Sequence, residues 1–172
     1  MAVQGDLQVE PLGPHHDRDG FSCGIDSLDR YLRRQAGQDM RRRSAGVFVL
    51  AARANPGVIL GYYTLSQANI AQGDIPASAR KHVPRYPLVA ATLIGQLAVS
   101  ETRQGERLGA ILIADAIERA WLTAATAGSS MLIVDAINER AAAFYEGNGF
   151  VRLTDSQRLM LPMRTIQRLV EP

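Results

Sequence analysis

Soft metal ligands and disulfide partners are scarce in this 172-residue chain, which carries one cysteine and three histidines. Cys23 alone excludes an internal disulfide framework, and His15, His16 and His82 follow no metal-ligand spacing, so no metal is expected. His15 and His16 follow Gly13 and Pro14 and read as a solvated loop pair. No apolar run approaches the length of a membrane span. The opening Met1-Ala2-Val3-Gln4-Gly5-Asp6 lacks the basic-then-apolar order of a signal peptide. A soluble, cytoplasmic protein with no membrane partner is therefore expected. Repeats and low-complexity tracts are absent as well.

What is present suits one globular domain over residues 1–172, since 47% hydrophobic residues at this length fill a single sizeable core. The net charge is only +2, but it is unevenly placed. Arg30, Arg33, Arg34, Arg41, Arg42 and Arg43 have Asp39 as the only acid among them, and Arg80, Lys81 and Arg85 form a second group. Arginine concentrated in this way attracts a polyanion, whereas a merely solvated helix face is the plainer meaning of a charge run.

The pattern along the chain mixes strands and helices. Residues 7–12 read as an opening strand, and Phe21-Ser22-Cys23-Gly24 as a turn. Asp26 or Ser27 is expected to cap a helix carrying Leu28, Tyr31, Leu32 and Ala36. Strands over 46–53 and 58–66 are joined by Asn55-Pro56-Gly57, a hairpin signal. Residues 69–90, with Pro76, Pro84 and Pro87, predict an irregular connection holding a short helix at most. A strand over 92–99 leads into a helix over 111–125. Beyond it follow a strand over 131–136, a helix over 139–147, a strand from Phe150, and a last strand over 158–163 whose Pro162 points to an edge or a bulge.

Between the 92–99 strand and its helix stands Gln104-Gly105-Glu106-Arg107-Leu108-Gly109-Ala110. A strand that turns through a glycine-containing loop into a helix aims unpaired backbone N–H groups and the positive helix end at one point, which suits a pyrophosphate. A dinucleotide-binding loop is the rival reading, but Gly-x-Gly-x-x-Gly is missing. Downstream come Asn138, Ala141, Phe144, Tyr145, Gly149 and Phe150. Tyr145 follows Asn138 by seven positions, two helical turns, so both are expected on one face with Phe144 turned toward the core.

The loop and this later stretch together resemble the GNAT acyltransferase superfamily. Its signature pairs a Gln/Arg-x-x-Gly-x-Gly/Ala coenzyme A loop with Asn-x-x-Ala-x-x-Phe-Tyr-x-x-x-Gly-Phe. The resemblance implies an α+β fold: a central, mostly antiparallel twisted sheet, splayed at the coenzyme site and flanked by helices. Smaller matches over about residues 20–164 are similar to the TacT-like GNAT toxins of bacterial toxin–antitoxin pairs. These are Phe21, Cys23, Gly24, Leu28, Asp29, Tyr31 and Leu32, the basic segment through Arg43, Gly61-Tyr62-Tyr63 with Leu65, Leu97-Ala98-Val99, and Met160-Leu161-Pro162-Met163.

That group implies an acetyl-CoA-dependent enzyme that acetylates the free amino group of aminoacyl-tRNA, stops translation, and is neutralised by a ribbon–helix–helix antitoxin. Homodimers are common in it. By this resemblance Tyr145 is the general acid, and Gln104, Gly105, Glu106, Arg107, Leu108, Gly109 and Ala110 with Asn138 hold the coenzyme. Leu97, Ala98 and Val99 supply a backbone N–H to the oxyanion. The phosphates of tRNA then fall to Arg33, Arg34, Arg41, Arg42, Arg43, Arg80, Lys81 and Arg85. Asn138 as a helix N-cap, and Tyr145 as a residue that only packs, are the plainer readings.

One position departs from the signature: Arg107 stands where the loop has its first glycine. Retained binding then requires an ordinary φ at Arg107, so that its guanidinium substitutes charge for close backbone access, with Gly105 and Gly109 relieving crowding on either side. No dedicated general base emerges, and Glu101 reads as an exposed turn residue. Two alternatives share the coenzyme site: a GNAT enzyme acting on a small amine or a protein amine, and an acyl-CoA-binding module without turnover.

Overall fold

A computed structural model describes residues 4–153 and 156–171. In chain order the elements are β1 (Leu7–Pro11), α1 (Asp26–Arg30), α2 (Ala36–Arg41), β2 (Gly46–Ala52), β3 (Gly61–Ala71), α3 (Ala77–Arg80) and β4 (Leu88–Val99). They continue as α4 (Leu108–Ala127), β5 (Met131–Asp135), α5 (Glu139–Gly147), β6 (Val151–Arg152), β7 (Arg158–Pro162) and α6 (Met163–Val170). The strands form one sheet in the order β1-β2-β3-β4-β5-β7-β6. β1–β2, β2–β3, β5–β7 and β6–β7 pair antiparallel, and β4–β5 parallel, which is the mixed α+β sheet expected. Two compact units share the chain: residues up to 66 with 96–115, and residues 67–95 with 116 onward.

In the first unit, β1 runs against β2 from Leu7↔Ala52 to Pro11↔Phe48, and β2 against β3 from Gly46↔Leu65 to Leu50↔Gly61. α1 and α2 are joined by a π-helical turn, Tyr31–Gln35. Leu28, Leu32 and Ala36 recur every fourth residue and are buried with Phe21, Val47, Val49 and Tyr62, so the helical run is held by its apolar stripe. It is not held by a cap: Ile25 occupies that position without a side-chain hydrogen bond, and Asp26 lies inside the helix, contrary to expectation. Asp29 is used from within instead, accepting from the Cys23 N–H at 2.9 Å. α2 ends where Arg43 takes φ 58° and the Ser44 N–H reaches the Asp39 carbonyl at 2.8 Å, the closure glycine ordinarily makes.

In the second unit, Ile70, Ile75, Val89, Ala91, Met131, Ile133 and Met160 form the core. The connection after β3 is irregular as expected, with α3 as its short helix, and the Gln72 amide fastens it by donating to the Pro84 and Tyr86 carbonyls. Pro162 ends β7, which lies between β5 and β6 and not at the sheet edge. The proline is nevertheless tolerated, because the two-residue β6 pairs only with Leu159 and Met160 and does not reach it. After Pro162 the chain turns into α6, a helix absent from the pattern reading.

Candidate active site

β4 pairs with β5 from Ala91↔Met131 to Ile94↔Val134, then continues to Val99 beyond the end of that pairing. β5 itself ends at Asp135, one residue past that pairing. The stretch containing Leu97, Ala98 and Val99 is placed by its first-unit neighbours. The Gln96 N–H is taken by the Thr64 hydroxyl at 3.0 Å, and the Ser100 N–H by the Leu60 carbonyl at 2.8 Å. A Cβ on Gly61 would lie 2.9 Å from the Ala98 carbonyl oxygen, so only glycine lets the strand approach this closely. Ala98 is buried, while Leu97 and Val99 are half-buried.

After β4 a short 3₁₀ turn, Glu101–Arg103, leads to an extended Gln104. Gly105 has φ 88° and Arg107 φ 61°, and α4 opens at Leu108, whose first N–H groups have no partner within the helix. Left-handed residues in such a loop turn backbone N–H groups toward one concave point, an anion-binding geometry. The ordinary φ expected of Arg107 is overturned. Its backbone keeps the conformation suited to glycine despite a Cβ that costs ~1–2 kcal/mol there. Nor does Gly105 relieve crowding within the protein: a Cβ there would meet nothing within 4 Å, and φ is its requirement.

Two side chains of this loop are already engaged. The Gln104 amide donates to the Cys23 carbonyl at 3.2 Å and the Val99 carbonyl at 3.4 Å, tying the loop to the end of β4. Glu106 forms a two-pronged ion pair with Arg103, one arm 3.0 Å long, and this hydrogen bond lowers the Glu106 carboxyl below its usual 4.5. Its carboxylate is thereby neutralised, leaving the backbone as what Glu106 offers a phosphate. Glu101 is exposed, as expected of a turn residue.

In the second unit Asn138 is the N-cap of α5, with φ −162° and its Oδ1 accepting from the Ala141 N–H at 2.8 Å. Tyr145 is 6% exposed. Its ring meets Phe144 and Phe150 edge-on, with centroids 5.2 and 5.6 Å away. The expected division of faces is thus reversed, since Tyr145 is buried with Ala142 and Phe144 is only half-buried. Burial pushes the Tyr145 phenol above its usual 10.0, and among the described residues nothing accepts a hydrogen bond from its hydroxyl. It is a phenol held neutral and left with a proton to donate.

The arginines over residues 33–43 lack counter-ions for an identifiable reason. Asp39, the one acid in their midst, accepts from the Tyr31 hydroxyl at 2.7 Å and the Gln35 amide at 2.9 Å. Among the described residues Arg33, Arg34, Arg41, Arg42 and Arg43 have no carboxylate partner, and Arg34 with Arg41 to Arg43 is exposed. Arg80, Lys81 and Arg85 are exposed in the second unit, where the Arg80 Nε also donates to the Ile75 carbonyl at 2.8 Å. Sequence reading overlooked Arg103, although its three-residue spacing from Glu106 was a usable signal. It also overlooked Arg164 and Arg168, which together with Lys81 repel a proton from His82. Loss of hydration is the larger cause holding that imidazole below its usual 6.5, and its Nδ1 is buried without a partner among the described residues.

One group among the described residues has metal-ligand proximity: Glu10, His15 and His16. Both imidazole Nε2 atoms lie 2.9 Å from the same Glu10 oxygen, and the Gly13 N–H donates to His16 Nδ1 at 2.9 Å. A neutral His16 therefore carries its proton on Nε2, and the group closes a loop by hydrogen bonds. His15 is solvated as expected; His16 is buried.

A strand that outlasts its neighbour, a loop with left-handed residues and a long helix opening on it are the parts of an acyl-coenzyme A-dependent transferase. The chain belongs to the acetyltransferase (GNAT) family, whose model matches residues 15–150. It is 34% identical over 156 residues to the tRNA-acetylating toxin of Mycobacterium tuberculosis, with 90% of each chain covered. Its fold is similar to that of AtaT complexed with acetyl-methionyl-tRNAfMet, with TM-score 0.87, 29% identity, and coverage of 96% of this chain and 99% of that one. It is similar, too, to a tyrosine-to-phenylalanine mutant of AtaT bound to the C-terminus of the antitoxin AtaR and acetyl-CoA, with TM-score 0.82, 26% identity, and 97% and 99% covered. No helix among the described residues is long and apolar enough to cross a membrane.

Proposed function

We propose that this chain is a single-domain, acetyl-CoA-dependent N-acetyltransferase toxin that acetylates the α-amino group of aminoacyl-tRNA and blocks translation. A cognate ribbon–helix–helix antitoxin neutralises it, and it acts as a homodimer. Beyond family membership, the observation that carries the reading is the set of exposed arginines whose only neighbouring acid is occupied by neutral donors. Such a surface is built for phosphates, which position a nucleic acid without reading its sequence.

In this reading the backbone of residues 104–110 receives the coenzyme pyrophosphate, with the Arg107 guanidinium adding charge. A backbone N–H among Leu97, Ala98 and Val99 stabilises the oxyanion formed when the amine adds to the thioester. As the C–S bond breaks, the Tyr145 hydroxyl gives its proton to the departing thiolate, and the proton shed by the amine returns through water to the tyrosinate. Because burial raises the phenol, this transfer runs further uphill than one between groups of ~10 and ~8.5, so it accompanies bond cleavage and does not precede it. A dedicated base is unnecessary: an α-amino group near ~8 is far closer to neutral at pH 7 than a lysine near ~10.4, and esterification lowers it further. Asn138 contributes by fixing the start of the helix that carries Tyr145.

Tyr145→Phe keeps the ring and removes the proton. Acetyl transfer to charged tRNA is expected to fall by ~10²–10⁴-fold with acetyl-CoA affinity little changed, and expression of the variant should no longer arrest bacterial growth. Turnover within a few-fold of the parent would make Tyr145 a packing residue.

A further inference from the structure

Arg18 lies in the loop between β1 and α1. Its backbone is fixed from both sides. The Asp17 N–H donates to the Gly57 carbonyl at 2.8 Å, the Gly20 N–H donates to the Asp17 carboxylate at 3.1 Å, and Phe21, three residues on, is buried in the core against the helical run that includes Ala36. From this anchored loop the Arg18 side chain reaches over Gly37 in α2. A Cβ on Gly37 would stand 3.0 Å from Arg18 Nη1 and 3.2 Å from Arg41 Nη1, so two guanidiniums converge closely on the bare backbone of Gly37.

Like charges do not gather this closely without a reason. Elsewhere the arginines that touch another charged group touch an acid: Arg30 with Asp26, Arg103 with Glu106, Arg152 with Glu139 and Glu146, and Arg158 with Asp135. Among the described residues neither Arg18 nor Arg41 has a carboxylate partner. A glycine inside a short helix also sacrifices helical stability relative to almost any other residue. Two planar donor forks side by side, with no acid between them, match the oxygens of a phosphate group.

We infer that Arg18 and Arg41, converging over Gly37, form a phosphate clamp that grips one backbone phosphodiester of the RNA substrate. The clamp rests on the aminoacyl-tRNA reading only for the source of its phosphate, the other source being the coenzyme itself. Phosphate binding joins the two forks and relieves their mutual repulsion. It also ties the RNA to a loop whose backbone is hydrogen-bonded on both sides of Arg18.

The test uses the whole protein with an uncharged RNA hairpin of acceptor-stem length, titrated at several salt concentrations, beside calorimetry with acetyl-CoA and acetylation of charged tRNA. Arg18→Gln should reduce the slope of log affinity against log salt by ~0.9, the loss of one phosphate contact, with acetyl-CoA affinity unchanged. Gly37→Asp, which places a carboxylate between the forks and leaves both arginines present, should reproduce that loss. Unchanged RNA binding in both variants, while the parent still acetylates charged tRNA, would overturn the clamp and leave the functional reading intact. A clamp-dependent slope in a parent that acetylates no charged tRNA would sustain the clamp and defeat that reading. Weakened acetyl-CoA binding with RNA binding intact would assign the phosphate to the coenzyme and overturn the proposal.

Discussion

Arg43 and Arg107 are the two non-glycine residues with positive φ among those described, and each stands where the surrounding geometry suits glycine. Arg43 fills the position of a glycine helix stop; Arg107 fills the first glycine of a coenzyme loop. At both, the backbone conformation survives and the side chain bears the strain, so its presence points to use of the guanidinium. For Arg107→Gly the relief of ~1–2 kcal/mol is offset in part by the greater freedom of a glycine in the unfolded chain. Unfolding should become slightly harder. Acetyl-CoA affinity should nonetheless fall about tenfold, as one charge-assisted hydrogen bond is lost. Calorimetry decides it: affinity equal to or above that of the parent would show that Arg107 contributes nothing to the coenzyme. At this scale the loop residues were readable in the sequence, but φ was not, because a residue's identity constrains its dihedrals only statistically. The Asn138 cap, by contrast, was readable from residue type and position, whereas the approach of Arg18 to Arg41 is a tertiary contact with no local signal.

Among the elements, the helical run over residues 26–41 is the most sensitive to alkali. Burial raises the Cys23 thiol from 9.0 to about 11, with the neighbouring Asp29 adding to the effect. Burial likewise raises the Tyr31 and Tyr62 phenols above 10.0, and Asp39 raises Tyr31 further. Tyr62 reaches this run directly, its hydroxyl donating to the Leu28 carbonyl. All three groups are neutral when folded and ionise more readily when unfolded. Their stabilisation is complete below the unfolded pKa and declines as pH rises toward the folded one. Urea unfolding should therefore show stability falling above about pH 9, with Cys23→Ala flattening the early part of the decline. Stability constant to pH 11 would refute this. The periodic elements were legible at this scale: α5 has the bounds its pattern predicts, and the stripe of Leu28, Leu32 and Ala36 marked the first helices. What escaped was the start and stop of elements. Ile25 caps no better than a neutral residue, yet core packing sets the helix there, and Met163 begins α6 where an apolar run read as continued strand.

For the molecule as a whole, one mixed sheet flanked by helices reproduces the fold class implied by two short motifs, while the strand order and the parallel β4–β5 pair were not read from them. That legibility has a physical basis. The loop at residues 104–110 works only between a strand and a helix, so recognising it fixes its neighbours as well. The partition into two units had no such signal, because β3, β4 and α4 each cross it. At this scale the central claim concerns the acceptor, since the coenzyme site would be the same for any amine. Purified protein should be given isotopically labelled acetyl-CoA with a complete set of charged tRNAs, and in parallel with a polyamine and a peptide, and the acetylated product identified by mass. The account predicts label on the α-amino group of one or more aminoacyl-tRNAs, and far slower transfer to the small amines. Efficient acetylation of the polyamine or peptide with no charged tRNA modified would contradict it.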